Sequence, residues 1–205
     1  MRDKEGFDLW ADDYDKYVGV TEEANSYPFA GYKDVLGDIF KEIMTKENVR
    51  VLDLGFGTGT LTSKLYENGC EVWGQDFSQR MIELAKEKMP EANLFQGDFY
   101  SGLVPEIAEK EFDYVVATYS MHHIDDERKV PFFREVLSHL KEGGKMLIGD
   151  VCFETAEDRK QASIKAGDEW DNDEYYIVCE ELRKSFPDLK FEKKSFCAGI
   201  ITLER

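Results

Sequence analysis

The stretch Val51-Leu52-Asp53-Leu54-Gly55-Phe56-Gly57-Thr58-Gly59 carries the strongest structural signal of the chain. A short apolar run ending in an acid and a leucine is followed by three alternating glycines, and an amphipathic segment begins at Leu61. This order predicts a buried parallel strand, a tight turn and a helix. Glycine is needed where a turn enters positive φ or where a ligand lies against bare main chain. The pattern therefore predicts a nucleotide-type pocket at the carboxyl end of a strand, beside a helix N-terminus.

The spacing of these glycines argues against a dinucleotide. The dinucleotide fingerprint is Gly-x-Gly-x-x-Gly, and its third glycine lets helix and strand pack closely. Here Thr60 stands where that third glycine would be. Asp53 would also repel a pyrophosphate, although it could help to position a ligand that bears an ammonium group. A tight turn with no ligand is the alternative interpretation.

Length, composition and charge predict one globular domain with small-molecule partners. The chain has 205 residues, 42% of them hydrophobic, and a formal net charge of −17. Such an acidic surface repels phosphate backbones, and no dense cluster of Lys and Arg is present, so we expect no nucleic-acid partner. No apolar run approaches the roughly 20 residues that a membrane span needs, so we expect no membrane association. The oligomeric state is left open.

The cysteines and the first residues favour a cytoplasmic protein. Cys70, Cys152, Cys179 and Cys197 are far apart and form no Cys-x-x-Cys pair, so neither a zinc site nor a redox motif is indicated. The acidic start of the chain does not have the apolar core of a secretory signal. We therefore expect four reduced thiols in the cytoplasm.

Strands and helices alternate through the first three quarters of the chain, which predicts a parallel α/β sheet. The expected strands cover residues 49–54, 71–75, 93–96, 112–118 and 145–149, and the expected helices cover about 7–17, 60–68, 81–89, 131–140, 155–166 and 173–186. Ser78 is predicted to cap the helix that starts near Met81, and Gly69 to follow the end of the preceding helix. Residues 190–196 and 199–204 are expected to form an antiparallel pair.

Acidic and aromatic residues follow the second and third strands, at the sheet edge where ligands bind. Asp76 comes about 20 residues after Gly55, the offset at which a carboxylate reaches a bound ribose. Phe77 could lie on an adenine face, while Asp98 and Phe99 could bind the exocyclic amine and the ring. The alternatives are an ordinary acid at a helix N-terminus for Asp76 and an everyday Gly-Asp turn at Asp98.

Across these positions the chain resembles the class I S-adenosylmethionine (SAM) dependent methyltransferases. The likeness covers about residues 49–150, and its motifs are Val51–Gly59, Val72–Ser78, Gln96–Phe99 and the late element Leu140-Lys141-Glu142-Gly143-Gly144. The opening Trp10-Ala11-Asp12-Asp13-Tyr14-Asp15 is similar to that of small bacterial methyltransferases. Phe56 departs from the pattern, because the family more often carries a small residue or Cys there.

The resemblance implies a Rossmann-like three-layer α/β sandwich with a seven-stranded, mostly parallel sheet whose last strand is antiparallel. It implies one methyltransferase domain over residues 1–205, with an N-terminal helical cap (1–48), a SAM-binding core (49–150), and substrate-side helices with a terminal β-hairpin (151–205). SAM would be the cofactor, and a small molecule would accept its methyl group. Tyr14 would close over the cofactor. The expected cofactor-binding residues are Tyr14, Asp53, Gly55, Gly57, Gly59, Asp76, Phe77, Asp98, Phe99 and Tyr119.

The segment after the fourth strand, Tyr119-Ser120-Met121-His122-His123-Ile124, faces the methyl group in this family. One of the two histidines could act as a general base on a hydroxyl, an amine or an activated carbon. Asp150, at the end of the fifth strand, could orient His122, so we predict a catalytic His122–Asp150 dyad. The alternative is one histidine packed under the sheet and one bonded to a loop. Methyl transfer from SAM needs little acid–base help, because the sulfonium is already a strong leaving group.

Two further features of the sequence bear on the site. His122, His123, Asp125 and Asp126 lack clean ligand spacing, so no metal is predicted. The segment Trp170–Tyr176 is either a lid or pocket wall that favours a cationic or amine-bearing acceptor, or a solvated loop with Tyr175 and Tyr176 entering the core.

Three other functions are alternatives to methyl transfer. A non-catalytic protein that binds SAM or S-adenosylhomocysteine (SAH) stays open. An NAD-dependent oxidoreductase is disfavoured by Thr60 and Asp53. Aminopropyl transfer is not supported, since no Asp-x-x-Asp element follows the fourth strand.

Overall fold

The computed structural model describes Lys16, Val18, Thr21, Glu23 and residues 25–205. Tyr14 and the Trp10–Asp15 motif lie outside the described residues, as does most of the predicted helix 7–17. The strands are β1 (Arg50–Leu54), β2 (Glu71–Asp76), β3 (Asn93–Gln96), β4 (Phe112–Thr118), β5 (Leu140–Phe153), β6 (Ile177–Val178), β7 (Lys190–Lys193) and β8 (Ala198–Glu204). The helices that lie wholly within residues 25–205 are α1 (Tyr32–Ile43), α2 (Thr62–Glu67), α3 (Gln79–Lys88), α4 (Pro105–Ala108), α5 (Asp126–Ser138), α6 (Ala156–Ala166) and α7 (Cys179–Leu182). None of the helices in this described part of the chain combines the length and the apolarity that crossing a bilayer requires.

The main sheet has seven strands in the order β3-β2-β1-β4-β5-β8-β7. The pairs from β3 to β5 are parallel, and β8 runs antiparallel to both of its neighbours. The predicted seven-stranded sheet with an antiparallel last strand is thus confirmed, and the two-residue strand β6 adds to it by pairing with the end of β5. The order of the strands reverses between β1 and β4, and their carboxyl ends form the crevice in which such sheets bind ligands.

Helices pack on both faces of the sheet. Successive side chains of a strand point to opposite sides, so one strand can contribute to the apolar layer on each face. Val51 of β1 belongs to an apolar cluster that includes Val35 and Ile39 of α1. Its neighbour Leu52 belongs to a second cluster that includes Phe132 and Phe133 of α5. β1 is therefore buried on both sides, as its nearly continuous apolar sequence predicted.

Several predicted boundaries are confirmed by specific backbone contacts. The strands β3 and β4 have the predicted limits. The Ser78 hydroxyl accepts the Met81 N–H at 3.1 Å and caps α3, as predicted. Gly69 has φ +85° and directly follows the last residue of the α2 cap, Asn68. Helix ends that depend on residues close together along the chain could therefore be predicted from the sequence.

Two elements start earlier or run further than predicted. Helix α5 begins at Asp126 rather than at Pro131, because the Asp125 carboxylate accepts the Arg128 N–H at 2.8 Å and caps the helix there. Strand β5 extends from Leu140 to Phe153 instead of covering 145–149. Its register with β4 is irregular where Gly143 and Gly144 occur, so these glycines lie inside a strand and not at a helix end.

The predicted helix 173–186 is wrong. Ile177 and Val178 form strand β6, which pairs with Cys152 and Phe153 of β5, and only Cys179–Leu182 is helical. The extra length of β5 supplies the partner for this strand. A tertiary pairing has thus overridden a local helical preference.

Candidate active site

The three glycines after β1 share a positive φ but differ in what surrounds them. The φ values are +76° at Gly55, +55° at Gly57 and +79° at Gly59. A Cβ at Gly55 would lie 2.5 Å from Ser120 Cβ, and one at Gly59 would lie 2.8 Å from Met89 Cε. A Cβ at Gly57 would meet nothing within 4 Å. Gly55 and Gly59 therefore permit close packing, whereas Gly57 borders open space.

Asp76 connects the glycine turn to the carboxyl end of β2. Its Oδ2 accepts the Gly57 N–H at 2.9 Å, and its Oδ1 accepts the Ser78 N–H at 2.9 Å. The residue is buried. A carboxylate oxygen accepts hydrogen bonds, which is the chemistry that binds hydroxyl groups. The carboxylate is thus fixed by main chain and positioned to bind vicinal hydroxyls.

Asp53 is a buried acid with one unused oxygen. Its Oδ2 accepts the Thr62 hydroxyl, and its Oδ1 has no hydrogen-bond partner among the described residues. Burial, reinforced by the nearby charge of Asp76, raises the pKa of Asp53 to about 7 against the opposing effect of the Thr62 hydrogen bond. Buried carboxylate oxygens are rarely left unpaired. This one is suited to a cationic group of a ligand.

A pocket opens over the carboxyl ends of β1, β2 and β4. Six predicted cofactor-binding residues line it: Gly55, Gly57, Asp76, Phe77, Phe99 and Tyr119. Two more, Ser120 and His123, belong to the segment that was expected to face the methyl group. The other lining residues were not predicted, and they are Tyr32, Phe56, Thr58, Thr60, Leu61, Met81 and Thr118. Most of these are neighbours of predicted residues along the chain. Tyr32 comes from α1, and no local pattern indicated that this helix reaches the pocket.

The remaining predicted site residues lie outside the lining of this pocket. They include Asp53, Gly59, His122 and Asp150, and the structure does not describe Tyr14. Asp98 is exposed, and its carboxylate accepts the Tyr100 N–H at 2.9 Å. It therefore caps the short turn Phe99–Ser101, in which Phe99 reaches the pocket.

Tyr119 forms part of the wall between the glycine turn and α1. It has φ +51°, an uncommon value for a residue other than glycine. Its ring lies 5.1 Å from the rings of both Phe29 and Tyr32, and its buried hydroxyl has no hydrogen-bond partner within the described part of the chain. A strained backbone and an unpaired hydroxyl at one residue are features that cluster at ligand sites.

His122 and Asp150 meet as the sequence predicted. Nδ1 of His122 lies 2.6 Å from Asp150 Oδ1, and Asp150 Oδ2 accepts the backbone N–H groups of Met121 at 2.9 Å and of His122 at 3.2 Å. Burial alone would lower the pKa of His122, but the charge of Asp150 and its hydrogen bond outweigh this effect and raise it. Asp150 thus holds both the imidazole and the turn Met121–His123.

His123, rather than His122, lines the pocket. Its Nδ1 is hydrogen-bonded to Glu174 Oε2 at 3.0 Å, and its ring centroid lies 4.1 Å from that of His122. Burial and the neighbouring His122 charge lower the pKa of His123, although Glu174 opposes them. No local pattern paired Glu174 with His123, because 51 residues separate the two.

The segment Trp170–Tyr176 lies against this histidine turn. The Tyr175 N–H donates to the His122 carbonyl at 2.9 Å, and the Lys129 ammonium donates to the Tyr175 carbonyl. Tyr176 is buried, whereas Tyr175 is 40% exposed. The expectation that both tyrosines enter the core is right for Tyr176 and wrong for Tyr175.

Comparison with known proteins identifies the family. A family model described as a methyltransferase domain matches residues 51–144. A curated relative from Alkaliphilus oremlandii (strain OhILAs), named an uncharacterized methyltransferase, is 32% identical over 180 residues, which are 88% of this chain and 80% of that protein. The chain belongs to the SAM-dependent methyltransferase family.

Two further proteins resemble this methyltransferase. An uncharacterized methyltransferase of Bacillus mycoides (strain KBAB4) is 37% identical over 148 residues, which are 72% of this chain and 66% of the relative. A crystal structure of magnesium protoporphyrin IX methyltransferase (ChlM) from Synechocystis PCC 6803 with bound SAH has the same fold, with a TM-score of 0.66 at 17% identity. That likeness covers 86% of this chain and 84% of the other.

The unusual Phe56 of this methyltransferase is accommodated by a glycine in the neighbouring strand. A Cβ at Gly74 of β2 would lie 2.6 Å from Phe56 Cδ1, so the bare backbone of Gly74 makes room for the ring. Phe56 is buried and also lines the pocket. The departure from the family pattern therefore adds an apolar side chain to the pocket floor.

Proposed function

We propose that this methyltransferase transfers the methyl group of SAM to a small-molecule acceptor held beside the turn Met121–His123. The observation that carries the proposal is the contact between Asp76 and Gly57. It places a buried carboxylate next to the one glycine of the turn whose missing side chain leaves open space. This combination suits the ribose and the flanking atoms of a nucleoside.

The other predicted residues give this ligand a consistent orientation. In the proposed arrangement Asp76 accepts the ribose hydroxyls, and Phe77 and Phe99 pack against the adenine. Asp98, one residue before Phe99, accepts the exocyclic amine. The oxygen of Asp53 that accepts no hydrogen bond among the described residues then attracts the ammonium group of the methionine moiety. Because the pKa of Asp53 is about 7, the ionised form that attracts this group predominates above pH 7.

The acceptor end of the pocket is the histidine turn. Thr118, Tyr119, Ser120 and His123 line the pocket there. The protein mainly has to hold the acceptor in line with the sulfonium, because the leaving group is already activated. We assign Asp150 a positioning role, since it fixes both the His122 imidazole and the backbone of the turn.

Two finer points belong to the same proposal. The acceptor is a metabolite and not a nucleic acid, because a chain of net charge −17 repels phosphate backbones. We place the protein in the cytoplasm, and its four cysteines, all buried free thiols, are compatible with a reducing compartment.

Transfer of a labelled methyl group tests the proposal. The purified protein is incubated with SAM that carries an isotopic label on the methyl group and with a fractionated metabolite extract. We expect a labelled small molecule and stoichiometric SAH. SAM binding without any SAH formation across all fractions would instead support a non-catalytic SAM-binding protein.

A further inference from the structure

Three metal-binding side chains meet beside the pocket. They are His122, His123 and Glu174, and one ligand atom from each lies within 4.8 Å of the other two. Because Nδ1 of His122 is bonded to Asp150, its Nε2 is the nitrogen left to bind an ion, as far as the described residues show. His123 Nδ1 and Glu174 Oε2 are 3.0 Å apart. Ligand bonds of about 2.0–2.2 Å in a tetrahedral site place the ligand atoms roughly 3.3 Å from one another.

The support around His122 is typical of a metal-binding histidine. Such histidines usually donate their second ring N–H to a carboxylate, which fixes the tautomer and the direction of the ring. Asp150 occupies this place and is itself fully buried. It is held by the N–H groups of Met121 and Val151, so the imidazole cannot reorient without losing its bond to a carboxylate that the main chain fixes.

Glu174 is anchored as firmly as the histidines. Its side chain is only 12% exposed. The next residue, Tyr175, is tied by its N–H to the His122 carbonyl and by its carbonyl to Lys129. The Lys129 ammonium is also paired with Asp126. The glutamate therefore reaches the histidine pair from a segment whose next residue is fixed through both its N–H and its carbonyl.

We propose that His122, His123 and Glu174 bind one divalent transition-metal ion, with Zn²⁺ as the best fit. Two imidazoles and one carboxylate form the ligand set of a catalytic zinc site, in which the fourth position stays open for a substrate. Since His123 lines the pocket, this open position is on the pocket side. The carboxylates of Glu174 and Asp150 offset the two positive charges of the ion.

This inference rests on the proposed function and narrows its acceptor to one with an O–H or S–H group. Coordination lowers the pKa of such a group, as it does for metal-bound water. The acceptor proton is released to solvent, and the metal-bound oxygen or sulfur forms a bond to the methyl carbon. The sulfonium–methyl bond breaks with its electron pair staying on sulfur, which gives neutral SAH and leaves the charge of the metal unchanged.

Titration of chelator-treated protein with Co²⁺ tests the site without any activity measurement. We expect one Co²⁺ per chain with the visible absorption of a tetrahedral complex, displaced by Zn²⁺. His123→Ala and Glu174→Gln should each weaken binding at least tenfold, and Asp150→Asn by about 10–100-fold. His139→Ala is the matched control, because His139 contacts the Lys110 carbonyl and none of the three ligands, and it should bind like the wild type.

Calorimetry with SAM on the same metal-free samples keeps the outcomes distinguishable. Normal SAM binding shows that a variant is folded. Wild-type protein that binds SAM but takes up no stoichiometric Co²⁺ or Zn²⁺ overturns the metal site and leaves the proposed function standing. Unchanged metal affinity in both His123→Ala and Glu174→Gln overturns it as well. Metal uptake without SAM binding would instead contradict the proposed function.

Discussion

Gly57 donates its backbone N–H to Asp76 Oδ2 at 2.9 Å, and this hydrogen bond joins the turn after β1 to the end of β2. The two elements are neighbouring parallel strands, so their carboxyl ends share one edge of the sheet. The contact organises the pocket before any ligand arrives. A preorganised carboxylate binds a ligand without the cost of ordering its own side chain.

Asp76→Asn should weaken SAM binding by roughly 10–100-fold, because a hydrogen bond to a charged group is worth about 1.5–3 kcal/mol. The amide keeps one acceptor oxygen but loses the charge and the second acceptor. Calorimetric titration with SAM measures the effect. Asp188→Asn is the control, since it removes an exposed acid that does not line the pocket. Equal affinity in the two variants would show that Asp76 does not contact the cofactor.

Alanine substitutions at Gly55 and Gly57 should separate folding from binding. Gly55→Ala places a Cβ 2.5 Å from Ser120 Cβ and should destabilise the fold most. Gly57→Ala finds free room and should cost only about 1–2 kcal/mol for its left-handed backbone. Its methyl group would nevertheless occupy the ligand space and weaken SAM binding strongly. Urea unfolding and SAM titration test both effects, and full SAM affinity in Gly57→Ala would contradict this placement of the ligand.

The sequence was informative where structure depends on local patterns. The β1–turn–α2 unit, the cap at Ser78 and the acid at the end of β2 follow from apolar runs, glycines and capping residues that are close together along the chain. The antiparallel orientation of the last strand was predicted from the resemblance to the methyltransferases. The meeting of His122 with Asp150 could be expected because His122 follows β4 and Asp150 lies in the neighbouring strand β5.

What the sequence missed depends on contacts between distant segments. Glu174 reaches His123 only because β5 continues to Phe153 and pairs with Ile177 and Val178, which brings the preceding segment over the histidine turn. Tyr32 likewise lines the pocket because of the way in which α1 packs on the sheet. No periodicity or motif encodes such approaches.

The affinity for SAM should rise with pH up to about pH 7. In the free protein the pKa of Asp53 is about 7, and the ionised form is the one that attracts the SAM ammonium. Below that pH a proton must leave Asp53 on binding, so affinity falls by at most about tenfold per pH unit and levels off above pH 7. Titrations between roughly pH 5 and 6.7 measure this rise, about one pH unit or more below the α-amino pKa of about 7.7–8.0. Asp53→Asn should bind more weakly at pH 7.5 and show a flatter profile. A flat wild-type profile would remove Asp53 from the proposed contacts.

His122→Ala should abolish methyl transfer while leaving the affinity for SAM within a factor of about three. The imidazole lies at the acceptor end and outside the lining of the pocket, so its loss removes no proposed cofactor contact. It does leave the buried Asp150 charge unpaired, which typically costs about 3–5 kcal/mol, so thermal unfolding must be followed in parallel. His139→Ala provides the comparison. Unchanged turnover in folded His122→Ala would exclude His122 from the reaction.

Calorimetric titration of the wild-type protein with SAM, with NAD as the competing ligand class, tests the central claim most directly. The pocket lined by Gly57 and Asp76, together with the proposed contact of Asp53, predicts one SAM bound per chain, also displaced by SAH, and no binding of NAD. Binding of NAD together with no detectable uptake of SAM or SAH would contradict the account.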